Sequence, residues 1–208
     1  MRQLTPKLKI RRHSAGRIRR NGLAPPVIYY LSLQTAGIIS GAFLILISLP
    51  GLVKPGLAGV AQKFPRSHVA GVVLLSIALV WTFWLLVTIE MGEFSAFRRP
   101  LLIALPIGYV LTLRFVEEFL AVRALGILCL LAAEPLLDAA FLRYEAGRLL
   151  VTVFAYLLIV AGLFWVAVPY VLRDQINWST RGVFRWRFLH AIAFVYGAVI
   201  VSFAITKY

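Results

Sequence analysis

A chain of 208 residues that is 61% apolar and 14% charged cannot clothe itself for water, because soluble domains are about 45–50% apolar and about 25% charged. Disordered, collagen-like and coiled-coil chains are excluded by the same proportions. What remains is an all-α, polytopic transmembrane helix bundle, carrying 22 Lys and Arg against 8 Asp and Glu for a net charge of +14.

Residues 1–26 form a basic arm. Arg2, Lys7, Lys9, Arg11, Arg12, Arg17, Arg19 and Arg20 follow one another with no acid between them, and Pro25 and Pro26 close the run. Such a flank orients the helix behind it toward the cytoplasm. Its arginines, above all Arg11, Arg12, Arg17, Arg19 and Arg20, are candidate contacts to a partner subunit or to anionic lipid headgroups, the latter worth about 1 kcal/mol per basic residue. No aromatic residue is interleaved for base stacking, so nucleic acid is not the expected partner. The expected location is a bacterial inner membrane with the arm in the cytoplasm. An Arg-rich, acid-free arm also has presequence composition, so an organelle inner membrane stays open.

The rest of the chain, 27–208, is one membrane domain. A spanning helix needs about 20 apolar residues. Val27–Leu49 is the first, with Pro50 and Gly51 expected to end it. Val69–Ile89 is the second, Leu149–Val171 the fifth and Phe188–Thr206 the last. Between them, 101–142 is long enough for two passes, one near 97–115 and one near 118–141. A charged break at Arg114, Glu117 and Glu118 separates them, and a re-entrant hairpin is the competing geometry. Six crossings leave thirteen basic residues on the arm side and nine on the other. Five crossings would improve that bias by moving Arg173, Arg181, Arg185 and Arg187 across. The segment 172–187 reads as a loop at headgroup level, where Trp178, Phe184 and Trp186 alternate with Arg181, Arg185 and Arg187.

Small residues recur at helical spacing: Gly37 with Gly41, Ala193 with Gly197, Ala198 with Ser202. They let backbones approach where lipid supplies no hydrophobic drive, either within the chain or across to another subunit.

The fourth helix carries the one constellation with chemical content. At 100° per residue Glu134 lies about 20° and Asp138 about 60° from Arg123, so the three charges share a face. Glu134 stands about 16 Å along the axis from Arg123, and Asp138 about 6 Å further on. Charge at membrane depth is expensive and is expected to face the bundle or a wet cavity. Arg123, Glu134 and Asp138 are therefore the candidate buried polar site, with snorkelling or pairing to Arg143 or Arg148 as the plainer alternative.

Other chemistry is excluded on spacing. Glu117, Glu118 and Arg123 resemble the paired-Glu and Arg signature of intramembrane CAAX-type proteases. However, four intervening residues turn Arg123 about 140° from Glu118, where the signature gives about 40°. Of the further His-bearing motifs that signature requires, only His190 follows. His68 and His190 sit at helix starts, as interfacial histidines do, and His13 lies in the arm. Cys129 has no partner for a disulfide. No phosphate loop, zinc cluster or nucleophile elbow is found, and no cofactor is assigned. The expectation is a non-catalytic subunit of a larger membrane complex, energy-transducing complexes included. A small transporter using Glu134 and Asp138 is the alternative, and a quinone or redox protein the third.

Overall fold

The structure is a computed structural model that describes residues 31–89, 91–116, 118–145 and 147–206. Among them there is no strand. The α-helices are α1 (Leu33–Val53), α2 (Ala58–Lys63), α3 (His68–Thr88), α4 (Arg98–Phe115), α5 (Leu120–Ala140), α6 (Arg148–Ala167), α7 (Tyr170–Thr180) and α8 (Val183–Thr206). Among the described residues six stretches are long and apolar enough to span: α1, α3, α4 with the 3-10 turn before it, α5, α6 and α8. Helix is the only open-ended way to satisfy backbone groups in hydrocarbon. The chain is an integral membrane protein built as an all-α bundle.

Local chemistry sets the starts. Ser32 caps α1 by accepting from the Thr35 N–H at 3.1 Å, and Ser67 caps α3 through Ala70 N–H at 3.2 Å. Several expected boundaries move. The fifth span stops at Ala167, short of Val171, which belongs to α7; the expected start of the first at Val27 lies outside the described residues. Pro50 lies inside α1, which runs on to Val53. Its missing N–H takes the i→i−4 partner from the Leu46 carbonyl, a cost the helix carries three residues before its end. Segment 172–187 is helical for most of its length, divided between α7 and an early start of α8 at Val183.

Packing runs through paired helices. α1 lies along α8, α5 along α6, and α3 against α5, while α4 rests chiefly on α3. The main core joins Leu33 and Ala36 of α1, Ala133, Leu136, Ala139 and Ala140 of α5, Val151, Phe154 and Ala155 of α6, and Ile200 of α8. Glycine makes the closest crossings. A methyl group on Gly41 would stand 2.7 Å from the Gly197 carbonyl oxygen, and one on Gly126 2.8 Å from that of Gly162. Gly41 of α1 and Gly197 of α8, one from each of two expected small-residue pairs, thus meet inside this chain.

The connections decide the number of passes. Gln62, in α2 between α1 and α3, donates to Thr180 Oγ1 of α7 at 2.7 Å. Arg173 of α7 stands 5.8 Å above the ring of Phe119, in the α4–α5 turn. Trp186 Nε1, one turn into α8, donates at 3.0 Å to the Gly51 carbonyl near the end of α1. The α1–α3, α4–α5 and α6–α8 connections therefore meet at one end, called distal here. Chain direction puts the start of α1 and the α3–α4 and α5–α6 connections at the other, proximal end. Six antiparallel passes produce that arrangement. Five would have carried the α6–α8 connection to the opposite end, and a re-entrant hairpin would have kept α4 from traversing.

Candidate functional site

The three charges of α5 do not form an interior cluster. Arg123 is half-buried, whereas Glu134 and Asp138 are exposed on the outer surface of the helix. The cause is the small-residue ridge beside them. Ala133, Leu136, Ala139 and Ala140 turn inward against α1 and α6, and the helical repeat carries Glu134 and Asp138 to the opposite side. They do share a face, as their spacing requires, but that face looks outward. Asp138 lies about 3 Å and Glu134 about 9 Å of helix rise from the proximal end of α5. Among the described residues no cation pairs with either acid. Arg148 donates to the Arg143 carbonyl, and the one ion pair there is Arg173 with Asp174, at 2.9 Å in α7. Arg123 keeps a buried Nε without a hydrogen-bond partner among the described residues. Arg11, Arg12, Arg17, Arg19 and Arg20 lie outside the described residues.

The distal end is a basic cap. Lys54, Lys63, Arg66, Arg114, Arg173, Arg181, Arg185 and Arg187 gather there against Glu118 and Asp174. Arg185 stands 5.5 Å above the Trp178 ring, a cation–π contact suited to headgroup depth. Beneath the cap, Trp186 is buried and its ring packs 4.1 Å from that of His190, whose Nδ1 lies 2.8 Å from the Trp186 carbonyl. Gly51 admits this pair, because a side chain there would collide with the imidazole. His190 is thus spoken for by packing. No group of three or more metal-ligating side chains occurs among the described residues.

One cavity was not foreseen from sequence. It has about 310 Å³ and lies between α3 and α4, floored by Ile127 of α5. Leu75, Ala78, Leu79 and Thr82 form one wall, and Leu101, Leu105, Gly108 and Tyr109 the other. The Tyr109 and Ser76 hydroxyls bond to each other at 2.8 Å, and Thr112 donates to the Gly108 carbonyl at 2.8 Å. The signal in the sequence was Ala104, Gly108 and Thr112 at four-residue spacing. Unlike Gly41 with Gly197 and Gly126 with Gly162, Gly108 meets no helix, and a methyl group on it would find nothing within 4 Å.

No protein-family model, curated protein or solved structure matches this chain.

Proposed function

We propose that the chain is a non-catalytic subunit of a larger membrane complex, seated in an inner membrane with its basic arm on the cytoplasmic side. The observation that carries this reading is the outward face of α5. Glu134 and Asp138 project from a spanning helix with no described counter-charge beside them. A carboxylate at the centre of a spanning helix costs about 2.5–3.5 kcal/mol on insertion scales, and less toward the ends. A cation on a neighbouring subunit offsets that cost; lipid tails do not. The transporter reading draws less support, since the cavity between α3 and α4 is lined by neither acid.

The test is a photo-crosslinking residue at Phe141, exposed one turn beyond Asp138 on the same side of the helix, in native membranes, with mass-spectrometric identification of the product. A membrane polypeptide captured there, and lost in the Glu134→Gln/Asp138→Asn double variant while helix content is retained, is the expected result. Products with lipid alone, together with a chain that leaves native membranes as a monodisperse monomer, would overturn the proposal.

A further inference from the structure

The described acids of the distal end stand at one side of it. Asp174, near the start of α7, is held by Arg173 at 2.9 Å, and Arg173 also covers the ring of Phe119, next to Glu118. The other side has none, since the sequence carries no Asp or Glu from 31 to 89 or after Asp174. Three contacts knit that side together. Trp186 donates to Gly51, three residues before Lys54. Gln62, beside Lys63, donates to Thr180, beside Arg181. Arg185 stands 5.5 Å above the Trp178 ring. Lys54, Lys63, Arg66, Arg181, Arg185 and Arg187 are thereby gathered on one acid-free surface. All six are exposed, and none makes an ion pair among the described residues.

The depth of this surface follows from its aromatic residues. Phe184 is 80% and Phe188 56% exposed, and their rings stack at 6.1 Å on the outer side of α8, about 160° around the helix from buried Trp186. Two bare phenyl rings on a spanning helix belong against lipid, so the bilayer reaches at least to Phe184. Arg185 and Arg187 start beneath that level, about 100° to either side of Trp186. A helical side chain leans toward the N-terminus of its helix, which for α8 is the distal end. Both guanidiniums therefore rise to the plane of the lipid phosphates.

We propose that this corner of α2, α7 and α8 gathers anionic phospholipids of the distal leaflet. Their phosphates lie against Arg181, Arg185 and Arg187, and their acyl chains against Phe184 and Phe188. Charge selects the occupant, because six cations without an acid favour a headgroup of net negative charge over a zwitterionic one, which brings its own cation. Depth selects lipid over protein. An acidic partner docking from the water would meet Lys54, Lys63 and Arg66, but not guanidiniums that start beneath Phe184. The site is separate from Glu134 and Asp138, which lie at the proximal end of α5.

The full chain, with a photo-reactive phenylalanine at position 184, is reconstituted in vesicles of equimolar phosphatidylglycerol and phosphatidylcholine, and its lipid adducts are identified by mass spectrometry. Phosphatidylglycerol adducts are expected to exceed phosphatidylcholine adducts about ten-fold. The same probe at Val160, 52% exposed in the middle of α6, is expected to give both equally. Arg181→Gln with Arg185→Gln and Arg187→Gln brings position 184 to parity. Arg181→Lys with Arg185→Lys and Arg187→Lys keeps the preference, which separates loss of charge from loss of fold. Parity at position 184 in the chain with its arginines intact overturns the proposal, as does a preference that survives the three glutamines or vanishes with the three lysines. In native membranes the probe at position 184 should yield phosphatidylglycerol adducts; capture of polypeptide in place of lipid overturns the proposal equally.

Discussion

Glycine does two opposite jobs in this molecule, and single substitutions separate them. Gly126 lies backbone to backbone with Gly162, so an added methyl group must push α5 from α6; overpacking of this kind costs about 1–3 kcal/mol. Gly108 faces open space, and alanine there replaces a poor helix former with a good one, a gain of up to about 1 kcal/mol. Gly126→Ala should therefore lower the temperature at which the detergent-solubilised chain loses its monodisperse elution peak, and Gly108→Ala should leave it unchanged or raise it. A drop of equal size in both would mean that the α5–α6 crossing is not close. Trp186 gives a second contrast. Its indole N–H is the donor to the carbonyl of buried Gly51 in α1. Trp186→Phe keeps a ring against His190 but leaves that carbonyl without its donor, a penalty of about 1–3 kcal/mol. The same elution assay should show the loss, with the α1–α8 pair opening first at its distal end.

The helices themselves differ in how firmly they are held. α5 is the most enclosed, packed by α6 on one side and α3 on the other, while α4 has no buried residue and leans chiefly on α3. Pro106 also removes an N–H from the middle of α4. Amides of 101–112 should exchange with deuterium well before those of 124–135, because local opening free energy follows packing; comparable protection in the two would show that α4 is braced by something outside this chain. Much of this level was legible in the residues. The six apolar runs announced themselves by length, since the bilayer fixes how much chain a pass consumes. The ends of those runs were less so. Proline ordinarily ends a helix, and nothing in the sequence of α1 says that Pro50 falls within the last turn here. Trp178 and Trp186 read as one interfacial loop, yet Trp186 turns inward to Gly51. That contact joins positions 135 residues apart, which no local pattern encodes. The face of α5 failed for a related reason. Periodicity grouped Glu134 with Asp138 correctly, but which side of a helix is inward is set by its neighbours, and here the alanine ridge outcompetes the charges for the interior.

Taken as a whole, the molecule is positive at both ends, and this makes its orientation depend on residues 1–26. The nine basic residues of the distal cap and its first turn are Lys54, Lys63, Arg66, Arg114, Arg123, Arg173, Arg181, Arg185 and Arg187. The proximal end has Arg98, Arg99, Arg143, Arg148 and, by sequence, Lys207, and would be outnumbered without the eight of the arm. Orientation follows the Lys and Arg bias near helix ends, with acids contributing little. Removing charge from Arg11, Arg12, Arg17, Arg19 and Arg20 as glutamine leaves eight against nine, so a population that inserts one way round should become mixed. A cysteine-free background, made by replacing buried Cys129, allows this to be read with a membrane-impermeant maleimide. Gly56→Cys and Gly182→Cys report the distal end, each with open space around it. Ser95→Cys and Tyr144→Cys report the proximal end, where Tyr144 is 93% exposed. In intact cells the distal pair should react and the proximal pair should not, until the membrane is opened. With the five arm arginines neutralised, both pairs should label in part. If position 182 labels with 95 and not with 56, the α6–α8 connection is on the wrong side and the six-pass bundle fails. If the pairs segregate as described but neutralising the arm changes nothing, the passes stand and orientation is set by something other than the arm's charge.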